Sequence, residues 1–498
     1  MYYLGIDLGT SAVKMLLLDE EQRPVRKFSR SYPISYPAAG WSEQRPEDWW
    51  AAVKEGLQEL ADFARGEIAS IALSGQMHGL VCLDKEGQVL RPAMLWNDSR
   101  AQAETTELNE GLGVERLLEE TGNIAFAGFT APKILWLRAH EPDCFRRTRW
   151  MLLPKDYIKF CLTGGLSTDC SDASGTLLFD VRRRCWSQQM LDFCAIDETM
   201  LGKVYESWMP VGRLRPDLAS ELGIRGDCQV AAGASDNAAA ALGTGVLGKD
   251  ACMVSLGTSG TVLLSGAYRQ VAAPYGVHSF AHADGAYLLL GCMLAAASCV
   301  GWWSEQILHT KPEDMAIAAP DPRMAQLFFL PYLMGERSPH NDPSVRGAFI
   351  GLDMEQKRED LSRAILEGVA FGLRDSLEQV REQGLEIRRL RLCGGGARNP
   401  LWQHILAAVF RCDIELLEAE EGAALGAALL AAVCAGRFSS VKEAVAQTVR
   451  VRETIRPQAD WLAFYEAKYR DFSRLYPALR GLCKAPGTEK FVEKALRE

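Results

Sequence analysis

The sequence predicts an α/β protein built from two lobes of similar size. At 498 residues the chain is too long for a single hydrophobic core. The tetrapeptide Leu-Gly-Thr-Ser occurs twice, at Leu8–Ser11 and at Leu256–Ser259, about half a chain apart. Each copy lies between two apolar runs, and helical patterns follow in both halves. Strands that form a meander and then alternate with helices are typical of a mixed sheet with helical layers.

The first half is predicted to begin with three short strands at Tyr3–Leu8, Val13–Asp19 and Val25–Ser31, separated by turn residues. A helix is predicted from about Pro46, because apolar residues recur there at helical spacing. Another strand is predicted at Ile68–Ser74. The first half therefore supplies four strands of one sheet and a covering helix.

The second half repeats this pattern. Its predicted strands are Met253–Leu256, Thr261–Leu264, Tyr287–Leu290 and Arg389–Cys393, and its predicted helices are an Ala-rich one after a turn at Gly291, a long one at about Glu359–Glu378, and two more at Leu401–Phe410 and Ala423–Ala435. The segment after about Arg450 is predicted to be peripheral helix and tail. A division near Gly243–Asp250 gives an N-terminal lobe of residues 1–245 and a C-terminal lobe of residues 246–498.

Composition excludes several classes of protein. The net charge of −9 argues against a protein held on nucleic acid or on an anionic membrane. The 14 cysteines are scattered, which favours a reducing cytoplasm. The chain enters a strand at once, so we expect no signal peptide. The uncharged run Ala286–Trp303 contains glycines and serine, and we expect buried core there rather than a membrane span.

The repeated turns predict a phosphotransferase. A turn of Gly, Thr and Ser presents backbone amides and small hydroxyls to an anion, and two such turns could bind one polyphosphate from both sides. In the first turn, Thr10 and Ser11 supply hydroxyls. Lys14 lies in the returning strand, where a solvated position and a phosphate contact are equally compatible with the pattern.

Two acidic residues are candidates for the chemistry. Asp7 ends an apolar strand, where a carboxylate is costly unless it is paired or bound to a cation. We expect it to orient Mg²⁺ through water, the alternative being a cap on the turn. Asp236 stands at the start of an Ala-rich helix. We expect it to accept the proton of an attacking hydroxyl, the alternative being the N-cap of that helix.

Three further signals concern ligands. The run Gly394–Gly396 lies between a strand and a helix, and adjacent glycines let a flat adenine or ribose lie on the backbone. His78, next to Met77 at a strand end, is either a structural residue or part of a polyol pocket. His278 and His282 are four residues apart but lack the helix and glutamate of a zinc protease, so we expect a core or pocket role.

Ten short motifs occur in a fixed order along the chain. They are Trp41–Trp50, Gly75–Gly79, Leu95–Arg100, Gly128–Lys133, Leu153–Tyr157, Asp169–Thr176, Asp236–Ala239, Ser255–Gly260, His278–His282 and Pro331–Asn341. With the two hairpin turns and the glycine run, this set makes the chain resemble the FGGY carbohydrate kinases along most of its length. Within that family it is most similar to the xylulose kinases.

The resemblance implies a fold, a reaction and a setting. The fold would consist of two ribonuclease-H-like lobes, as in the superfamily of sugar kinases, actin and heat-shock chaperones, around a cleft for ATP and sugar. The reaction would transfer the γ-phosphoryl group of ATP to the 5-hydroxyl of D-xylulose, with ATP and Mg²⁺ as cofactors. The setting would be cytoplasmic, with no nucleic acid or membrane partner, and a homodimer is common in the family.

The resemblance also assigns roles residue by residue. Asp236 would be the base and Asp7 the magnesium-organising acid. The sugar would be held by Met77, His78, Asp236 and Asn237, with Trp96 and Asp98 in the pocket wall. ATP would be bound by Thr10, Ser11, Lys14, Gly257, Thr258, Ser259, Trp302, Gly395, Gly396 and Asn399.

Two departures from the family pattern leave the sugar open. Ser235 and Ala240 stand at positions where glycine is common in the family, and both add atoms near the pocket. A kinase for ribulose, gluconate or glycerol is therefore an alternative. An actin-like or chaperone-like ATPase is a second alternative, although such proteins lack a sugar-pocket set such as Gly75–Gly79.

Overall fold

Two seven-stranded sheets form the framework of the protein. The computed structural model describes residues 1–248, 251–268, 277–322, 325–342, 344–382, 387, 389–419 and 422–481.

The strands up to residue 248 are β1 (Tyr2–Leu8), β2 (Ala12–Leu18), β3 (Pro24–Ser31), β4 (Glu43–Gln44), β5 (Ile68–Gly75), β6 (Val81–Leu83), β7 (Ala93–Met94), β8 (Trp150–Leu152), β9 (Ser167–Asp169), β10 (Phe179–Asp180), β11 (Cys185–Trp186), β12 (Lys203–Tyr205), β13 (Pro210–Arg213), β14 (Gln229–Ala231) and β15 (Ala234–Ser235). The α-helices of this half are α1 (Pro46–Ala64), α2 (Gln102–Leu108), α3 (Val114–Thr121), α4 (Thr130–His140), α5 (Pro142–Arg147), α6 (Pro154–Thr163), α7 (Cys170–Ala173), α8 (Gln188–Cys194), α9 (Pro216–Leu222) and α10 (Asp236–Gly243).

The later strands are β16 (Ala251–Leu256), β17 (Gly260–Gly266), β18 (Val277–Ala281), β19 (Tyr287–Met293), β20 (Phe328–Leu330), β21 (Ala348–Ile350), β22 (Arg389–Cys393), β23 (Asp413–Leu417) and β24 (Val451–Ile455). The later α-helices are α11 (Ala297–Gly301), α12 (Arg358–Arg381), α13 (Pro400–Phe410), α14 (Gly422–Cys434), α15 (Val441–Thr448), α16 (Ala459–Phe472) and α17 (Leu475–Leu479).

The two large sheets share one topology. The first has the order β13-β14-β5-β1-β2-β3, with β15 beside β5, and the second has the order β18-β19-β17-β16-β22-β23-β24. In each sheet a hairpin, β1–β2 or β16–β17, is followed by a strand that pairs parallel to the first strand of the hairpin. The two Leu-Gly-Thr-Ser turns therefore lie at equivalent places in equivalent sheets, as the sequence predicts.

The alternation of side chains along β1 shows how the first sheet is covered. Leu4, Ile6 and Leu8 belong to the core that includes α1. Gly5 faces the opposite way, where a Cβ atom would lie 2.2 Å from the carbonyl oxygen of Ala424 in α14. Because glycine has no side chain, the backbone of α14 lies directly on β1. A helix from the second half thus covers the sheet of the first half.

Helix α14 also packs against α10 through small residues. A Cβ atom at Gly426 would lie 1.9 Å from the carbonyl oxygen of Ala239, and one at Gly243 would lie 1.8 Å from that of Gly422. The two helices therefore touch backbone to backbone. Helix α10 begins with Asp236, so this contact supports the element that carries the candidate base.

Most predicted elements are confirmed to within a few residues, but two predictions are wrong. The predicted turn at Gly291 does not form, because β19 continues to Met293 and Gly291 pairs with both Val262 and Val277. The segment after Arg450 begins with a strand, β24, and α16 then buries Tyr465 and Phe472 against Phe371 of α12.

The proposed division near Gly243–Asp250 includes residues 249 and 250, which lie outside the described residues. Among the helices of the described residues, none combines the length and the apolar character that a membrane crossing requires.

Candidate active site

Hydrogen bonds from side chains of the first half hold the first Leu-Gly-Thr-Ser turn in place. Gln44 Nε2 donates a hydrogen bond to the carbonyl oxygen of Thr10 at 2.7 Å, and the Tyr32 hydroxyl donates to that of Gly9. The indole N–H of Trp96 donates to Thr10 Oγ1 at 2.9 Å. An indole can only donate, so the Thr10 hydroxyl keeps its own proton for an acceptor such as a phosphate oxygen.

The second turn is fixed by the segment that leads into α11. The backbone N–H groups of Ala296 and Ala297 donate to the carbonyl oxygens of Thr258 and Gly257, both at 2.9 Å. Thr258 itself is exposed. The glycine run lies beside this turn, since a Cβ atom at Gly396 would lie 2.9 Å from Leu256 Cβ. The structure thus brings together Gly257, Thr258, Gly395 and Gly396, which were predicted to bind ATP.

Asp7 and Asp236 meet at one edge of the first sheet. Strands β1 and β15 both pair parallel to β5, with Asp7 opposite Ser74 and Ser235 opposite Gly75. The Ser74 hydroxyl donates to Asp7 Oδ1 at 2.8 Å. Parallel strands end at the same edge, so the two carboxylates flank the end of β5. Both remain partly accessible to solvent.

The pair of acids has unusual proton affinity. Burial raises the pKa of Asp7, against the Ser74 hydrogen bond and the positive charge of Lys14, which stands opposite Asp7 in the hairpin. Burial, followed by the negative charge of Asp7, raises the pKa of Asp236 to about 7. A carboxylate with a pKa near neutrality is well matched to accept a proton.

Helix α10 is capped by Ser235 and not by Asp236. The Ser235 hydroxyl accepts the N–H of Ala238 at 3.3 Å. The alternative that Asp236 serves as the N-cap is therefore wrong. Its Oδ1 instead accepts the backbone and side-chain N–H groups of Asn237 at 2.7 and 2.9 Å.

Comparison with known proteins gives the family of the chain. The N-terminal domain model of the FGGY family of carbohydrate kinases matches residues 2–243, and its C-terminal domain model matches residues 252–435. The chain belongs to the FGGY family of carbohydrate kinases. The predicted two-lobed α/β fold is thereby confirmed.

Individual relatives cover nearly the whole chain. The xylulose kinase of Bacillus subtilis (strain 168) is 38% identical over 488 residues, which is 97% of this chain and 98% of that protein. A kinase from Brucella ovis, described as a xyloylose kinase, has a structure with a TM-score of 0.91 at 39% identity, covering 97% of this chain and 100% of that one. The gluconate kinase of Lactobacillus acidophilus has a TM-score of 0.91 at 27% identity, covering 96% and 98%.

In this FGGY kinase, His78 is held in an uncommon conformation shortly after the end of β5. Its φ angle is +69°, in the left-handed region. Its carbonyl oxygen accepts from Lys133 Nζ at 2.9 Å and from the Thr130 hydroxyl at 3.1 Å. The ring is buried, and burial is the main cause that lowers its pKa well below the usual range, so the ring is neutral.

The tautomer of His78 follows from its partner. Nδ1 lies 2.5 Å from the carbonyl oxygen of Gly175, which can only accept. The proton is therefore on Nδ1, and Nε2 is an acceptor for a ligand hydroxyl. Asn237 Nδ2 lies 3.6 Å from Met77 Sδ, so the structure brings together all four residues predicted to hold the sugar.

Three other predicted residues have partners within the protein. The Asp98 carboxylate accepts from Arg100 Nη2 at 2.6 Å and from the backbone N–H of Ser42 at 2.7 Å. Asn399 Oδ1 caps α13 by accepting the N–H of Trp402 at 3.0 Å. Trp302 begins the π-helical segment Trp302–Ile307 and stacks on Phe329, with ring planes 15° apart.

A buried ion network lies behind the base, and sequence reasoning assigned it no role. Lys155 Nζ contacts the carboxylates of Asp156, Asp169 and Asp172 at 2.6, 2.9 and 3.2 Å. Lys159 Nζ contacts Asp156 at 2.9 Å. All five side chains are almost completely buried. The signal in the sequence that could have revealed this network is the presence of charged residues within motifs that are otherwise buried.

The network reaches the base through two serines. Asp169 Oδ2 accepts the N–H of Ser171 at 2.8 Å and the Ser207 hydroxyl at 3.0 Å. The Ser171 oxygen in turn accepts the N–H of Ser235 at 2.9 Å. The residue that precedes Asp236 is therefore anchored to a fully buried cluster of charges.

Proposed function

We propose that this kinase transfers the γ-phosphoryl group of ATP to the 5-hydroxyl of D-xylulose. The observation that carries the proposal is the pair Asp7 and Asp236, placed at one sheet edge beside the turn of the β1–β2 hairpin, with the pKa of Asp236 raised to about 7. The name of the Bacillus subtilis relative, which is 38% identical over nearly the full length, supports D-xylulose as the sugar.

Separate residues bind the sugar, accept the proton and contact the phosphates. Met77, His78 and Asn237 hold the sugar, with His78 Nε2 accepting a sugar hydroxyl. Asp236 takes the proton of the attacking hydroxyl, and the Thr10 hydroxyl donates to the phosphates. Phosphoryl transfer depends mainly on positioning and charge stabilisation, which such fixed groups provide.

ATP use follows from the family, and Mg²⁺ fits the residues present. Asp7 is a partly accessible carboxylate whose Oδ1 is already bonded to Ser74. Mg²⁺ is commonly held by one or two carboxylates together with substrate phosphates, and Asp7 would be such a carboxylate, acting through water. When bound, the ion would neutralise charge on the phosphates.

The nucleotide end is assigned to the second lobe. Gly257, Thr258 and Ser259 would face the phosphates, while Gly395, Gly396, Asn399 and Trp302 would border the adenosine. Ser11 and Lys14 would contact the phosphates from the first hairpin. The division into residues 1–245 and 246–498, a cytoplasmic location and a homodimer remain predictions from the sequence.

The test is ADP release with MgATP across D-xylulose, D-ribulose, L-ribulose, D-gluconate, glycerol and a control without sugar. A strong preference for D-xylulose would support the proposal. A preference for D-gluconate would favour the second candidate, which the similarity to the gluconate kinase of Lactobacillus acidophilus supports. Release that no sugar stimulates would contradict the proposal and favour an ATPase.

A further inference from the structure

Arg337 carries a positive charge that is only partly accessible to solvent and has no counter-charge among the described residues. It lies in the segment Pro331–Asn341 of the second half. Its Nε and Nη2 atoms are buried and have no hydrogen-bond partner among the described residues, and no carboxylate of that part of the chain forms an ion pair with it. Its guanidinium lies over the rings of Phe126 and Phe129, at 5.0 and 5.4 Å.

The arginines of the second half that are buried among the described residues are paired. Arg363 Nε lies 3.3 Å from Glu367, and Arg374 Nη2 lies 2.7 Å from Glu466. Burying a cation without a hydrogen-bonding or charged partner is unfavourable, because contacts with aromatic rings replace only part of the hydration that the charge loses. A ligand that supplies acceptor oxygens would complete the site.

A second unpartnered side chain lies beside Arg337. The ring of His278 in β18 is fully buried, and neither of its nitrogens has a partner among the described residues. This ring lies 4.9 Å from Phe126 and 5.3 Å from Phe129, the two rings that Arg337 covers. Two polar side chains of the second half therefore have unused hydrogen-bonding capacity at the same place.

This place adjoins the sugar pocket. The His78 ring stacks on Phe129 with centroids 4.4 Å apart, and it lies 6.2 Å from Phe280, on which His278 also stacks. The positive charge of Arg337 contributes, after burial, to lowering the pKa of both histidines. His78 of the first half thus faces Arg337 and His278 of the second half across one aromatic cluster.

We propose that Arg337 and His278 bind the oxygens at the end of the sugar remote from the phosphorylated hydroxyl. The inference rests on the proposed function, in which the reacting hydroxyl lies at Asp236 and His78 contacts the sugar. A guanidinium has donors and no acceptor, which suits a ketone or hydroxyl oxygen. A neutral histidine offers one donor and one acceptor, which suits hydroxyl groups. The sugar then contacts both halves of the chain.

The test replaces Arg337 by methionine, which has a similar length and no donors. Without sugar, the melting temperature is expected to equal or exceed that of the wild type, because a partly buried charge without a counter-charge is removed. The rise in melting temperature on adding D-xylulose is expected to shrink, and KM for D-xylulose to increase roughly 10- to 100-fold. KM for ATP is expected to change by less than about twofold.

Arg374→Met is the matched control, since it removes a buried arginine that has carboxylate partners. It is expected to lower the melting temperature while leaving KM for D-xylulose unchanged. His278→Phe, which keeps a buried ring and removes both nitrogens, is expected to raise KM for the sugar as Arg337→Met does.

Two outcomes would overturn the inference. One is an Arg337→Met variant that melts lower than the wild type yet binds D-xylulose normally, which would make Arg337 a structural residue. The other is wild-type KM in both Arg337→Met and His278→Phe, with a wild type that does phosphorylate D-xylulose. A wild type that phosphorylates none of the sugars would instead contradict the proposed function, and this inference with it.

Discussion

Replacing Asp236 by asparagine is expected to lower turnover severely and to stabilise the protein at the same time. The substitution keeps the shape of the side chain, and its oxygen can still accept the two N–H groups of Asn237. What it removes is a negative charge that is partly buried and faces Asp7. Because that charge receives the proton, the rate is expected to fall by about 10²- to 10⁴-fold while the sugar still binds.

The gain in stability can be worked out from the pKa of Asp236. This pKa is about 7 in the folded protein and 3.8 for an ordinary aspartate. Between these values the folded state keeps a proton that the unfolded chain has lost, so the free energy of unfolding decreases as the pH rises from 3.8 to about 7. Each pKa unit corresponds to about 1.4 kcal/mol, so the roughly 3 units amount to about 4 kcal/mol.

Asparagine does not titrate, so the free energy of unfolding of the variant does not decrease with pH for this reason. Its advantage in the free energy of unfolding is expected to grow from about 1 kcal/mol near pH 4.5 to about 4 kcal/mol above pH 7. Urea unfolding followed by tryptophan fluorescence, at about pH 4.5, 6 and 8 and without nucleotide, measures the difference. Asp227→Asn is the control, because Asp227 is exposed and Arg225 lowers its pKa. A variant no more stable than the wild type at pH 8, or a difference independent of pH, would refute the reasoning.

Three further predictions concern the base and its support. With MgATP well below its KM, the logarithm of kcat/KM for the sugar should decrease with unit slope as the pH is lowered from about 7, because Asp236 must be unprotonated. A flat pH–rate profile would contradict this. Ser171→Ala removes the acceptor of the buried Ser235 N–H and should lower kcat about tenfold in steady-state assays, whereas Ser207→Ala, which loses a bond to the same carboxylate, should not. Lys155→Met leaves three buried carboxylates without their shared cation and should destabilise the protein by about 3–5 kcal/mol in urea unfolding, and an unchanged transition would show that the network contributes no stability.

The sequence predicted most of the framework because its signals are local. Hydrophobic periodicity and turn residues locate β1, β2, β5 and α1 within a residue or two. The turn at Gly291 was predicted wrongly because glycine is needed there for packing and not for a turn. A Cβ atom at Gly291 would lie 2.9 Å from Ser376 Cβ in α12, so the glycine lets the helix pack closely on the strand. Strand β24 was missed because four of its five residues are exposed, which leaves no alternation to recognise.

The candidate site was predictable only in part, for a related reason. Asp7, Asp236 and the two turns stand at the ends of strands or helices, where a polar residue in an apolar context is visible in the sequence. The contact of Arg337 with Phe129, or of Ser171 with Ser235, joins segments far apart in the chain. No local pattern specifies such pairs, since their meeting depends on the packing of whole elements.

Because α14 contacts β1 and α10 closely, the two halves of the chain cannot be produced separately without exposing this contact. A gene split at the junction near residue 248 would produce one fragment whose central sheet lacks its covering helix and another whose helix lacks its sheet. Each fragment would expose a strip of closely packed glycine and alanine that the other fragment normally covers. Two such pieces made separately are expected to aggregate, whereas pieces synthesised together could restore an intact kinase by complementation.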